Sequence, residues 1–179
     1  MKILLKLSAV FLLVVVMFST LSCDRVDDGP FVEPITLYER IQGDWLLSDI
    51  IQVDETRRVA NINPQEISLI NVFDFDTFGI SFEVDANNRP TSYRVIGIAP
   101  ELFPNTGFWG MEHSFPQTDG TAPVINLYSD AARANRTAQL RVAVTPGARP
   151  EMELVLTRRT GGVAFVSYRY RLFSLNLED

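Results

Sequence analysis

Lysine is missing from everything beyond residue 6. Lys2 and Lys6 are the only two, and every other basic residue is Arg. That removes Schiff-base lysines and the P-loop lysine from a processed chain. Cysteine occurs once, at Cys23, and histidine once, at His113. The usual His/Cys zinc sets, an internal disulfide and a spare thiol nucleophile are therefore excluded. A serine triad would have to use His113 as its base, and no Gly-x-Ser-x-Gly elbow occurs. Asp27-Asp28 and Asp74-x-Asp76 lack the spacing and the Gly of a calcium loop. Asp74 with Asp76, and Glu151 with Glu153, share strand faces in the way that solvated carboxylates do. The expectation is a non-enzymatic protein with no catalytic residues, no metal site and no cofactor.

An excess of positive charge is also lacking. The formal net charge is −6, and it becomes more negative once Lys2 and Lys6 leave with the leader described below. Arg57-Arg58 and Arg158-Arg159 are adjacent basic pairs in an otherwise scattered set, and both read as solvated loop or strand-end charge. A nucleic-acid partner, which calls for a basic face, is not expected. What is present suits one globular domain: 46% hydrophobic and 21% charged residues, too apolar for a disordered chain.

Residues 1–6 carry a positive start, and residues 7–18 form an apolar run. That run is too short to span a hydrocarbon layer, which needs about 20 helical residues, so it reads as a secretory signal over residues 1–22. Ser19-Thr20-Leu21-Ser22-Cys23 resembles the bacterial lipobox, with Thr20 where Leu is common. The resemblance implies lipidation of Cys23 and a membrane anchor. The following Asp24-Arg25-Val26-Asp27-Asp28-Gly29-Pro30 resembles the acidic surface-export signal of lipoproteins in Gram-negative gut bacteria. It implies the outer membrane, at the cell surface or the periplasmic face, and it also reads as a plain solvated tether. Residues 23–35 are thus the lipidated Cys and a flexible linker, and 36–179 the folded domain.

In that domain Thr36 and Glu39 have capping-box spacing for one or two helical turns. Short alternating runs then predict strands at 43–53, 78–85, 91–98, 107–115, 123–128, 138–145, 151–157 and 164–175. An irregular connection and an apolar stretch at 69–75 lie between the first two. Turn residues Asn87-Asn88, Pro146-Gly147 and Gly161-Gly162 separate later runs. The pattern predicts an all-β antiparallel sandwich or barrel. Alternation places Val166, Tyr168, Tyr170 and Leu172 on one face, as it does Met152, Leu154 and Leu156, and Leu140, Val142 and Val144.

Gly43-Asp44-Trp45 opens the first strand directly after the helical turn. In this it resembles the lipocalins and related calycins, and with the lipobox the chain resembles lipocalin-like lipoproteins of gut bacteria. The Thr-Asp-Tyr segment of true lipocalins is absent. The resemblance implies an up-and-down barrel of about eight strands. In it Trp45 plugs the base, and Gly43 lets the backbone pass close by.

Such a barrel is filled by side chains or holds one small ligand. Trp109, Met111, His113 and Phe115 share a face of the fourth strand. With Tyr128 and with Asp49, which is either inward or the mark of a bulge, they are the candidate ligand-binding residues. Each of these also reads as an ordinary core position, Trp45 most of all. Two functions follow. One is a binding module for a small apolar or amphipathic molecule or a glycan, which needs an open cavity of several hundred Å³. The other is a solid barrel serving as an accessory or structural subunit of an outer-membrane protein assembly. The second needs exposed apolar surface, for which parity offers Ile50, Ile125, Leu127, Val155, Phe165 and Phe173.

Overall fold

The structure is a computed structural model that describes residues 33–175. The leader and Cys23 lie outside the described residues. A five-residue helix α1 (Leu37–Ile41) precedes nine strands: β1 (Gly43–Asp54), β2 (Glu66–Ser68), β3 (Gly79–Val84), β4 (Pro90–Ile96), β5 (Thr106–Met111), β6 (Val124–Tyr128), β7 (Arg136–Val144), β8 (Glu151–Thr160) and β9 (Val163–Ser174). A second short helix, α2 (Glu55–Ala60), follows β1, and a 3₁₀ turn spans Phe75–Thr77.

All neighbours pair antiparallel, and β1 also pairs with β9, so eight strands close into a barrel. Closure is arranged by the length of β1. One edge lies against β9 from Trp45↔Ser174 to Asp54↔Val166. The other edge is divided, with Gly43 to Leu46 on β3 and Ile51 to Val53 on β2. β2 is an added flap outside the eight-stranded ring.

The predicted helical turn forms as expected. Glu39 N–H donates to Thr36 Oγ1 at 3.2 Å, and Thr36 N–H donates to Glu39 Oε2 at 2.7 Å, a reciprocal capping box. Leu37 and Ile41 are fully buried and turn α1 into a lid on one end of the barrel. There Trp45 is buried, and its indole N–H donates to Ile41 O at 2.8 Å. Gly43, with φ 106°, makes the sharp bend from helix to strand that a side chain would strain. At the other end the β8–β9 hairpin turns on Gly161-Gly162, both at positive φ, as a two-residue loop requires.

Three sequence expectations change. β1 carries an extra residue at Ser48, since Leu47 faces Leu172 and Asp49 faces Arg171. The bulge reverses the alternation, so Ile50 is fully buried in the core instead of outside. Ile125 and Leu127 likewise point inward, because β6 registers Ile125 on core Leu140 and leaves Asn126 outside, bonded to Gln139. A register shift beyond Val142 leaves Val144 exposed. The apolar stretch at 69–75 lies outside the strands, as expected of it. Leu69 and Phe75 anchor a loop whose Val72 and Phe73 are exposed, and the connection ahead of it holds α2, capped by Asp54 through Arg57 N–H at 2.9 Å.

Two substitutions test the closed end. Trp45→Phe removes the bond to Ile41 and leaves a void, a loss of about 1–3 kcal/mol. Gly43→Ala forces a side chain into the positive-φ region at about 1–3 kcal/mol. Urea denaturation should show both midpoints lowered; unchanged midpoints would refute the lid.

Candidate functional site

The barrel interior is occupied by its own side chains. Trp45, Ile50, Ile80, Phe82, Trp109, Ile125, Leu127, Leu140, Met152, Tyr170 and Leu172 are all at or below 2% exposure. Rings meet edge to face through the core: Phe82 with Trp109 at 5.1 Å, Tyr38 with Trp109 at 6.1 Å, and Phe78 with Phe103 at 6.4 Å. Polar tips inside are satisfied. Trp109 Nε1 donates to Glu83 O at 2.7 Å, and Tyr93 Oη donates to Pro104 O at 2.9 Å. Burial pushes the Tyr93 hydroxyl up to about 12 and raises that of Tyr170 as well.

The predicted ligand residues divide into three groups. Trp109 is a core residue, fully buried. Met111, His113 and Phe115 do come together, with Leu37 and Pro123, around a rim cavity of about 100 Å³. They do so outside the lumen. β5 ends at Met111, and the chain bends so that Ser114 O accepts the Leu37 N–H at 2.8 Å, capping α1. His113 is exposed and Phe115 is 43% exposed. Tyr128 and Asp49 face outward instead of into a pocket. Tyr128 registers on Phe108 and Arg136 beside buried Leu127, and the Ser48 bulge turns Asp49 toward Arg171 at 3.7 Å and Ser68 at 2.7 Å.

A larger open groove of about 600 Å³ lies beside α1, with Glu39, Arg40, Pro146 and Pro150 on its walls. Trp45 and Phe82 on its floor are 2% and 1% exposed, so they offer almost no ring surface for stacking. None of the described residues forms a His/Cys/Asp/Glu cluster able to hold a metal ion.

The outer face of β1, β8 and β9 carries an ordered polar lattice. Glu153 lies between Arg169 at 3.7 Å and Arg171 at 3.5 Å, and Arg169 also reaches Glu66 on β2 at 3.1 Å. Next to it α2 packs on β9, with Val53 and Ser167 buried beneath. Glu55 on α2 accepts from Ser167 Oγ at 2.6 Å and from Arg58 Nε at 2.6 Å. Burial alone would raise its pKa, but the Ser167 and Arg58 bonds and the Arg58 and Arg169 charges outweigh burial and hold it below 4.5.

One further place is almost silent in the sequence. Arg136, Thr137, Ala138 and Gln139 of β7 face Leu156, Thr157, Arg158 and Arg159 of β8 across a cavity of about 320 Å³. The Arg158-Arg159 pair was its one signal in the sequence, and nothing there showed that Arg136 folds beside it.

The Glu55 pKa is depressed in the fold, so its contribution is present above 4.5 and lost as pH falls through the lower folded value. Glu55→Gln should cost about 1–2 kcal/mol at pH 7. In urea titrations its deficit against the unmodified chain should shrink below about pH 4. A deficit constant from pH 7 to pH 3 would contradict this assignment.

A family model described as a domain of unknown function, DUF5004, matches residues 22–173. No match was found among curated proteins or among solved structures. The match covers the whole barrel, and the chain belongs to the DUF5004 family.

Proposed function

We propose that the protein is a non-enzymatic, lipocalin-like lipoprotein, exported by its leader, lipidated at Cys23 and held at the outer membrane. There its barrel serves as an accessory subunit of an envelope protein assembly. The observation that carries this reading is the filled interior. Small-molecule sites run to about 300–1,000 Å³, whereas aromatic and aliphatic side chains occupy this lumen. A barrel of this kind works through its outside. Its exposed apolar side chains include Phe165 and Phe173, two of those expected from parity, together with Phe73, Val144 and Val163. The ordered Arg/carboxylate lattice gives the outer face fixed polar geometry, and that favours specific contact with another protein.

One observation favours the second reading, ligand binding. Met111, His113 and Phe115 meet at the rim as the sequence suggests, in a cavity of about 100 Å³. Such a space takes one small apolar group, for instance the end of a chain whose remainder lies in solvent.

Fractionation and native mass spectrometry test both readings. Cys23→Ala should move the protein from the outer membrane to the soluble fraction. The chain without substitution, purified in mild detergent, should have the mass of the acylated polypeptide alone. Retention of the Cys23→Ala chain in the membrane would overturn the anchor. A stoichiometric co-purified small molecule would overturn the accessory reading in favour of the ligand reading.

A further inference from the structure

β7 and β8 part company halfway along. Their pairing runs from Val144↔Glu153 to Leu140↔Leu156 and stops there. Yet β7 continues to Arg136, held by β6 through Gln139↔Asn126, Ala138↔Leu127 and Tyr128↔Arg136. β8 continues to Thr160, held by β9 through Thr157↔Ser167 to Thr160↔Val163. Each strand stays extended because its outer neighbour holds it. Between them lies a notch of about 320 Å³ with an unpaired backbone edge on either side.

The side chains along these edges are tied away from the gap. Gln139 Nε2 donates to Asn126 on β6, and Thr137 Oγ1 donates to Leu127 O. Thr157 Oγ1 bonds Ser167 on β9, and Arg159 donates to Gly162 O at 3.1 Å. Arg158 donates to Leu102 O on the loop before β5. Backbone donors and acceptors along about four residues of each edge are thus left for another strand, a length of ~13 Å. Ala138 supplies apolar surface in the notch above the buried Leu156, and Arg136, Arg158 and Arg159 supply its charge. Among the described residues no carboxylate forms an ion pair with these three. The nearby acids are committed to their own loops, Asp130 to the Ala134 and Asn135 N–H groups and Glu101 to Asn105.

We infer that this notch binds an extended acidic segment of a partner protein by strand addition, its backbone pairing with the open edges and its carboxylates meeting Arg136, Arg158 and Arg159. Charge complementarity selects the occupant. Two copies of the notch would set arginines against arginines, which keeps the edges of this chain from pairing with each other. A guanidinium has five donors and spends one on a carbonyl, so Arg158 and Arg159 still have donors for a carboxylate. A segment alternating acidic and small apolar residues fits both the arginines and the apolar Ala138, since successive side chains of a strand point to opposite faces. The inference deepens the accessory-subunit reading, since it rests on a protein partner and names where that partner's chain lies.

The test is a titration of the full chain in mild detergent with an end-capped peptide of alternating Glu and Val, against the same peptide with Lys for Glu. It is followed by amide NMR. The expected result is saturable binding of the Glu peptide alone, with shifts concentrated at residues 136–139 and 157–160. Affinity should fall at least tenfold in Arg136→Glu and also in Arg159→Glu, as each reverses one charge. Amide spectra of both variants report whether the fold is kept. Equal binding of the two peptides, shifts elsewhere on the barrel, or no binding at millimolar peptide would overturn the inference. Those failures leave the Cys23 fractionation result untouched, whereas a failure there removes the anchor without altering the peptide titration.

Discussion

Everything in this fold depends on β1 reaching β9. An eight-stranded antiparallel sheet has two raw edges, and here each satisfies the other along almost the full length of β1. The seam also decides where side chains go. Because Ser48 is bulged out against Arg171, the half of β1 before it directs Trp45 and Leu47 inward, while the half after it directs Ile50 inward. One strand thereby feeds the core on both sides of its bulge despite its curvature, and it sends Asp49 out to the Arg171 side. α1 then needs only to lay Leu37 and Ile41 over the end that Trp45 already fills.

Filling the lumen has a consequence for function. Side chains that meet ring to ring at 5–6 Å leave the inside committed to stability. Under the accessory reading proposed above, contact with other molecules falls to the rim, the groove beside α1, the outer lattice of Glu153, Arg169 and Arg171, or the gap where β7 and β8 separate. These places differ in character. The lattice pairs its charges internally, whereas Arg136, Arg158 and Arg159 have no carboxylate partner among the described residues and stand beside open backbone. In an acidic protein, a local excess of arginine next to unpaired strand edges is the feature least explained by stability alone.

Much of this was legible in the chain. Thr36 with Glu39, Gly43 with Trp45, and Gly161-Gly162 each encode a local geometry that few other residues could supply, and the alternating runs of β7, β8 and β9 name their own inward faces, except at Val144 beyond the register shift. What was hidden depends on pairing between distant segments. The bulge at Ser48 arises from register against Arg171, which no local spacing reveals. Ile125 and Leu127 have the same alternation whichever way β6 faces, and only the partner Leu140 decides. His113 and Phe115 continue the pattern of β5, but the chain leaves the sheet to cap α1. That contact joins residues 37 and 114, far apart in sequence. The six-residue helix α2 was too short to show a period, although Asp54 and Asn61 mark its ends.

Hydrogen exchange across the β1–β9 seam tests the central claim most directly. If the sheet closes on itself, amides of both strands that donate across the seam exchange only through global unfolding, with one shared free energy matching that from denaturation. If the β1 amides that face β9 exchange rapidly while the β8–β9 hairpin stays protected, the sheet is open. The filled lumen and the outward-acting barrel would then both be wrong.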